Sequence, residues 1–329
     1  MQAASSRDQK STNVWSDSGV LGNRPASPAA STIYLRNGSG QVPLAVQLIR
    51  LGFRTIGRVA PRLMARFAYR LWFRTSRFPR QDWEKRLLER AEQLPLEHNG
   101  RRIAVFSWGR GPVVLLIHGW SARASRMGAF VDPLLEAGYR VVAFDAPGHG
   151  QSSGSRTDVF EIRDVIRRVA ERFGPLDGVI AHSFGVLGFA LAARASFAPQ
   201  RAVCLSPGVN LDTFIRVFAE TLHLPDRVTS ELTDLLHAFV GPDFTRGLWD
   251  GLRDLPTLVV HDRDDADIPW GDGKAMADAL PRARFIATRG LGHRGVLRDD
   301  QVVQSAVEFI TEASGAAGPA GADDLTDNG

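Results

Sequence analysis

Ser183, His293 and a cluster of aspartates sit where hydroxyl-based nucleophilic chemistry would need them. Ser183 lies in Val179-Ile180-Ala181-His182-Ser183-Phe184-Gly185, an apolar run that passes directly into a helix-like stretch. Small residues stand two positions either side of the serine. A strand that turns sharply into a helix holds such a serine clear of the sheet, and larger flanking side chains would strike neighbouring backbone. The following helix then aims its N-terminus at the reacting centre. The usual spacing has glycine at both flanks; here the first is Ala181, still small enough to fit. Alone, the pattern equally describes a serine capping a helix.

A hydroxyl nucleophile needs a base, and the base needs a carboxylate to orient it. His293 lies in Gly290-Leu291-Gly292-His293-Arg294-Gly295, a glycine-rich loop able to fold back toward Ser183. Upstream, Val260-His261-Asp262-Arg263-Asp264-Asp265-Ala266-Asp267-Ile268-Pro269 ends an apolar run in four aspartates. Asp265, four residues before Pro269 in the loop beyond the strand, is the expected acid. Asp262 and Asp264 are the fallback readings, and Asp212, after the preceding strand, is a rarer arrangement. The order Ser183…Asp265…His293 is itself informative, because unrelated triads use other orders.

Acyl transfer also needs donors for a developing oxyanion. Leu115-Leu116-Ile117-His118-Gly119-Trp120-Ser121 is a buried strand ending in His-Gly and an aromatic residue. Its position lets the backbone N–H groups of Trp120 and Phe184 converge on one point. His118 and His182 read as structural histidines. In Phe144-Asp145-Ala146-Pro147-Gly148-His149-Gly150-Gln151-Ser152, Asp145 reads as a loop-fixing acceptor.

These residues require a frame. Short apolar runs bounded by turn residues predict strands at 102–107, 112–118, 140–145, 178–183, 201–206, 257–262 and 283–288, with a weaker one at 94–98. Helical patterns fall between them near 123–137, 158–173, 184–196, 271–280 and 299–313. Near-continuous apolar strands alternating with helices indicate a mostly parallel sheet covered on both faces. Asn99-Gly100 marks one hairpin. From about 210 to 252 two or three helical segments follow one another with no strand, which predicts a helical cap over the strand carboxyl ends.

Together the motifs resemble the α/β-hydrolase superfamily over about 95–313, and specifically its serine hydrolases with a small helical cap. The resemblance implies an eight-stranded, mostly parallel sheet with helices on both faces. It implies Ser183, His293 and Asp265 as the triad, with Trp120 and Phe184 as oxyanion donors, and no metal or organic cofactor. A serine nucleophile argues against dehalogenases and epoxide hydrolases of this fold, which use aspartate there. The implied activity is hydrolysis of a small-molecule carboxylic ester or thioester. A C–C bond hydrolase, an amidase and a catalytically silent binding module on the same scaffold stay open.

Outside 95–313 the composition changes. Residues 1–40 are rich in Ser, Ala, Gly and Asn and predict disorder; 314–329 predict a flexible, mildly acidic tail. Residues 41–90 predict a basic helical segment. Within it Arg50, Arg54, Arg58, Arg62, Arg66, Arg70 and Arg74 recur every four residues among apolar side chains, with no acid from 41 to 80. Pro61 should divide it into two helices. Two readings stand: an N-terminal layer packed on the body with arginines facing water, or a basic amphipathic segment on an anionic membrane surface. Nucleic acid is not expected as a partner, since the rest of the chain is net negative. The absence of a secretory signal in the sequence and of any apolar run long enough to span a bilayer predicts a cytoplasmic or membrane-associated protein. A single cysteine, Cys204, excludes an intrachain disulfide framework and any multi-cysteine metal site.

Overall fold

A computed structural model describes residues 42–194 and 199–312; the segments 1–40 and 314–329 named above lie outside the described residues. Helices α1 (Leu44–Val59) and α2 (Pro61–Trp72) come first, and Pro61 opens the second, where its missing N–H costs nothing. Helix α3 (Asp82–Glu89) leads into strand β1 (Glu92–Gln93). Strands β2 (Leu96–His98) and β3 (Arg101–Ile103) form a separate hairpin. Asn99 and Gly100 both have positive φ at its turn, matching the twist of the strands they join.

The main sheet continues with β4 (Val105–Trp108), β5 (Val113–Ile117), β6 (Arg140–Phe144), β7 (Leu176–His182), β8 (Arg201–Leu205), β9 (Thr257–Asp262) and β10 (Ala283–Thr288). Its eight strands run in the order β1-β4-β6-β5-β7-β8-β9-β10. Only the β1–β4 and β4–β6 pairings are antiparallel. Two details depart from the sequence reading. The eighth strand is the two-residue Glu92–Gln93 rather than 94–98, and the 102–107 run breaks at Ala104 into the hairpin and the sheet. Short edge segments carry too little periodicity for pattern to place them.

Alternation across the pleat supplies two cores. Leu115, Val142, Val179 and Cys204 face α5 (Val159–Phe173) and α6 (Phe184–Ala193). Leu116, Val141, Ile180 and Val203 face a 3-10 turn at Ala124–Phe130, α4 (Val131–Glu136) and α11 (Asp300–Thr311). Asp158 starts α5 by accepting from the N–H groups of Phe160 and Glu161, which otherwise lack partners in a first turn.

Between β8 and β9 the chain leaves the sheet for α7 (Leu211–Leu222) and α8 (Asp226–Val240). These two join α1 and α2 in a third apolar cluster around Phe53, Met64, Ile215, Val228 and Leu232. Helices α9 (Trp270–Ala279) and α10 (Gly292–Gly295) fall between and beyond the last strands. No described helix is long and apolar enough to cross a membrane.

Candidate active site

At the end of β7 the backbone of Ser183 takes φ 55° and ψ −125° before α6 begins. This left-handed geometry is costly for a side chain with a Cβ, and neighbouring backbone holds it there. The Ser183 N–H donates to Leu205 O at 3.0 Å. A Cβ on Gly185 would come within 2.5 Å of His118 O, so the loop after β5 passes directly against the turn. Ala181, where glycine is usual, is fully buried in the apolar cluster behind the sheet.

Three separate strand ends meet at this serine. The Ser183 Oγ lies 2.8 Å from His293 Nε2, and His293 Nδ1 lies 2.7 Å from Asp265 Oδ2. All three residues are buried. Asp265 Oδ1 accepts from the N–H groups of Asp267 and Ile268, each at 2.9 Å. Its Oδ2 also takes His261 Nε2 at 3.1 Å. Burial alone would raise the Asp265 carboxyl. The hydrogen bonds from His261 and His293 outweigh it and hold the group well below the usual carboxylate range. An ionised Asp265 accepts from Nδ1–H, which leaves Nε2 unprotonated toward the serine hydroxyl.

The other aspartates do different work. Asp262 Oδ2 accepts from Thr288 Oγ1 at 2.7 Å and from Leu291 N at 3.1 Å; Asp264 Oδ2 accepts from Gly290 N at 2.9 Å. They pin the loop that carries His293 rather than touching its ring. Asp212 sits exposed on α7, 2.8 Å from His237 Nε2. Asp267 faces Arg294 Nη2 at 3.5 Å, and burial pushes its carboxyl up.

The remaining histidines are wall and strut. Ala146 N–H donates to His118 Nε2 at 2.9 Å, so Nδ1 carries the proton, donated to Gly119 O at 2.7 Å. His182 Nε2 donates to His293 O at 2.9 Å and so fixes the backbone of His293. Ser121 N–H donates to His149 Nε2 at 2.9 Å. Burial pushes His118 down to about 4 and both His149 and His182 to about 3. They are neutral at pH 7, as the acceptor roles of His118 and His149 require. Asp145 accepts from Ala124 N and Gln151 N. A Cβ on Gly150 would fall 1.9 Å from its Oδ2, so only glycine lets this loop close on the carboxylate.

Trp120 and Phe184 are brought side by side, their rings edge to face at 5.1 Å. Phe184 meets Phe214 of α7 in the same way at 5.1 Å. An aromatic row therefore runs from the Gly119-Trp120 loop across the serine turn to the cap, giving the site an apolar wall.

One support has no sequence signature. Glu84 of α3 is fully buried against Arg123, with Nη2 to Oε2 at 2.7 Å and Nε to Oε1 at 2.8 Å. Ser125 Oγ donates to the same carboxylate at 2.8 Å, and Arg123 also donates to Phe78 O and Pro79 O. This knot ties the stretch just after Trp120 to α3. Burial would raise Glu84, yet the hydrogen bonds from Arg123, the Gln81 N–H and Ser125, with the Arg126 charge, bring it down to about 2. His261, under Asp265, is the other residue that pattern did not single out; only its place one position before the aspartate run offered a hint.

Similarity to known proteins bears on the family and the fold. Residues 114–305 match the model of the Alpha/beta hydrolase family. Over 257 residues the chain is 40% identical to the 2-hydroxy-6-oxononadienedioate/2-hydroxy-6-oxononatrienedioate hydrolase of Klebsiella pneumoniae, covering 61% of this chain and 88% of that one. It is 24% identical over 235 residues to the pimeloyl-[acyl-carrier protein] methyl ester esterase of Nitrosomonas europaea, covering 58% and 92%. Among solved structures, the esterase Pf2001 of Pyrococcus furiosus superposes with a TM-score of 0.55 at 20% identity, over 72% of this chain and 98% of that one.

Proposed function

The chain belongs to the alpha/beta hydrolase family, and on that premise we propose that it is a serine hydrolase cleaving small-molecule carboxylic esters or thioesters by two-step acyl transfer. The catalytic unit on this reading is 95–313, with the cap at about 210–252. The observation that carries it is the unbroken relay from Ser183 Oγ through His293 to Asp265.

His293 Nε2 takes the Ser183 proton as Oγ attacks the acyl carbon. The charge that develops on the imidazole is held by Asp265, kept ionised and fixed by two backbone N–H groups and His261. The tetrahedral oxyanion is received by the N–H groups of Trp120 and Phe184. His293 then protonates the leaving oxygen or sulfur, and an acyl-enzyme forms on Ser183. Water, deprotonated by the same Nε2, releases the acid and restores the serine.

A second reading has one specific support. The Klebsiella relative's named substrate contains neither an ester nor an amide, so the same three residues would serve cleavage of a C–C bond beside a ketone. Fluorophosphonate labelling separates enzyme from silent scaffold: wild type should label and Ser183→Ala should not. A panel of p-nitrophenyl esters of graded acyl length then separates ester hydrolysis from the C–C reading. Labelling without turnover of any ester would favour the latter.

A further inference from the structure

All seven large apolar side chains recorded as exposed among the described residues lie on α1 and α2. This is not a failure of the helices to pack. On α1, Phe53 and Gly57 are buried, and a Cβ on Gly57 would touch Val228 and Pro225 beside α8. On α2, Met64, Ala65 and Ala68 are buried in the same cluster. Phe53 and Phe67 link the two helices, ring to ring at 5.8 Å. The inner stripe of each helix is therefore satisfied, and the outer one is apolar as well. Leu44, Leu48 and Leu51 lie about 140–180° round α1 from Phe53 and are 69%, 58% and 55% exposed. Val59 is 84% exposed and Leu63 63%. A contiguous apolar surface of this kind marks a partner.

The charge around it selects which partner. Arg54, Arg58, Arg66 and Arg70 are exposed beside the leucines, and Arg62 pairs with Glu231 of α8 at 3.2 Å. Every cation from 41 to 80 is an arginine, with no acid in that stretch of sequence. Guanidinium groups bind phosphate oxygens in pairs, and their long stems lie along apolar surface. A second copy of this face would set arginines against arginines. Residues 1–41 match it no better, with Arg7, Lys10, Arg24 and Arg36 against Asp8 and Asp17. A surface both apolar below and anionic above is a phospholipid bilayer.

We propose that the outer face of α1 and α2 docks on an anionic phospholipid bilayer, its leucines entering the acyl boundary and its arginines seated on headgroup phosphates. The layer rests on the cap helices α7 and α8, and α7 also carries Phe214, which meets Phe184 beside Ser183. Docking requires no turnover and is independent of the hydrolase reading.

Co-sedimentation of the full chain with phosphatidylcholine vesicles, with and without phosphatidylglycerol, is the test. Wild type and Ser183→Ala should bind the anionic vesicles alike and the neutral ones weakly, with binding lost as salt rises. The double variant Arg58→Gln/Arg66→Gln should bind about thirtyfold more weakly. Leu51→Ser/Leu63→Ser should lose at least about tenfold. Both should melt like wild type, because all four side chains are exposed. Equal binding to neutral and anionic vesicles, or unchanged binding by both variants, would overturn the proposal. So would binding that appears only when Asp323, Asp324 and Asp327 are neutralised, which would make the acidic tail the occupant. A vesicle-free dimer dissolved by Leu51→Ser/Leu63→Ser would assign the face to a second copy and overturn it equally.

Discussion

The strand-end site and the α1–α2 layer invert one another. Around Ser183 buried polar side chains gather behind an apolar wall, and the side-chain oxygens and nitrogens of Asp265, His293, His118 and Asp145 have partners. On α1 and α2 no charged group is fully buried, and the apolar ones are divided between a buried stripe and an exposed one. Buried polar groups are stable only in fully satisfied networks. Exposed leucines are tolerated only singly or where something covers them. The difference is that His293 is held by hydrogen bonds at both ring nitrogens, whereas the outer stripe of the layer has no cover among the described residues.

Breaking the relay should have the largest effect. Asp265→Asn should lower kcat about ten-thousand-fold, by presenting the wrong imidazole tautomer. Asp264→Asn, which touches only the loop, should cost far less; steady-state assay of the two variants side by side is the check. A comparable or greater loss from Asp264→Asn would move the acid and spoil the assignment.

Within the layer the two stripes should respond oppositely. Phe53→Ala removes a fully buried ring and should cost about 3–5 kcal/mol in urea unfolding. Leu63→Ala, on the outer stripe, should stay within about 0.5 kcal/mol. Equal costs would mean the outer stripe is covered after all.

The Glu84–Arg123 knot, between α3 and the loop after Trp120, carries a pH signature. The Glu84 carboxyl is depressed from 4.5 in the free side chain to about 2 in the fold. Its contribution is therefore complete above about pH 4.5 and is lost as pH falls toward about 2. Glu84→Gln should destabilise by about 3 kcal/mol at neutral pH, and the gap to wild type should close across that acidic window. A gap independent of pH would deny the ion pair its role.

Smallest is His261→Asn, which withdraws one donor from Asp265 Oδ2. It should lower kcat about tenfold and leave KM unchanged. A change confined to KM would place His261 at the substrate instead of behind the acid.

The sequence was most legible where chemistry and backbone coincide. A serine between strand and helix, a histidine in a glycine loop and an aspartate run in that order pointed to three residues that the fold hydrogen-bonds together. Asp265 was the expected acid and is the one that meets the ring, but Asp262, Asp264 and Asp212 stayed open beside it, because spacing alone does not separate a carboxylate aimed at His293 from one aimed at Leu291 N–H. The Glu84–Arg123 pair, 39 residues apart, belongs to no local pattern. Nor does periodicity reveal that the leucines of α1 are uncovered: it shows which residues are apolar, and only the packing of Phe53 and Gly57 against α8 shows which stripe was used.

Two-step acyl transfer requires that Ser183 become acylated. Rapid acid quench of the chain with a p-nitrophenyl ester, followed by peptide mass spectrometry, tests it most directly. One acyl group is expected on the peptide containing Ser183, formed within a burst of p-nitrophenol and absent from Ser183→Ala. Turnover without any adduct on that peptide, or an adduct that persists in Ser183→Ala, would contradict it.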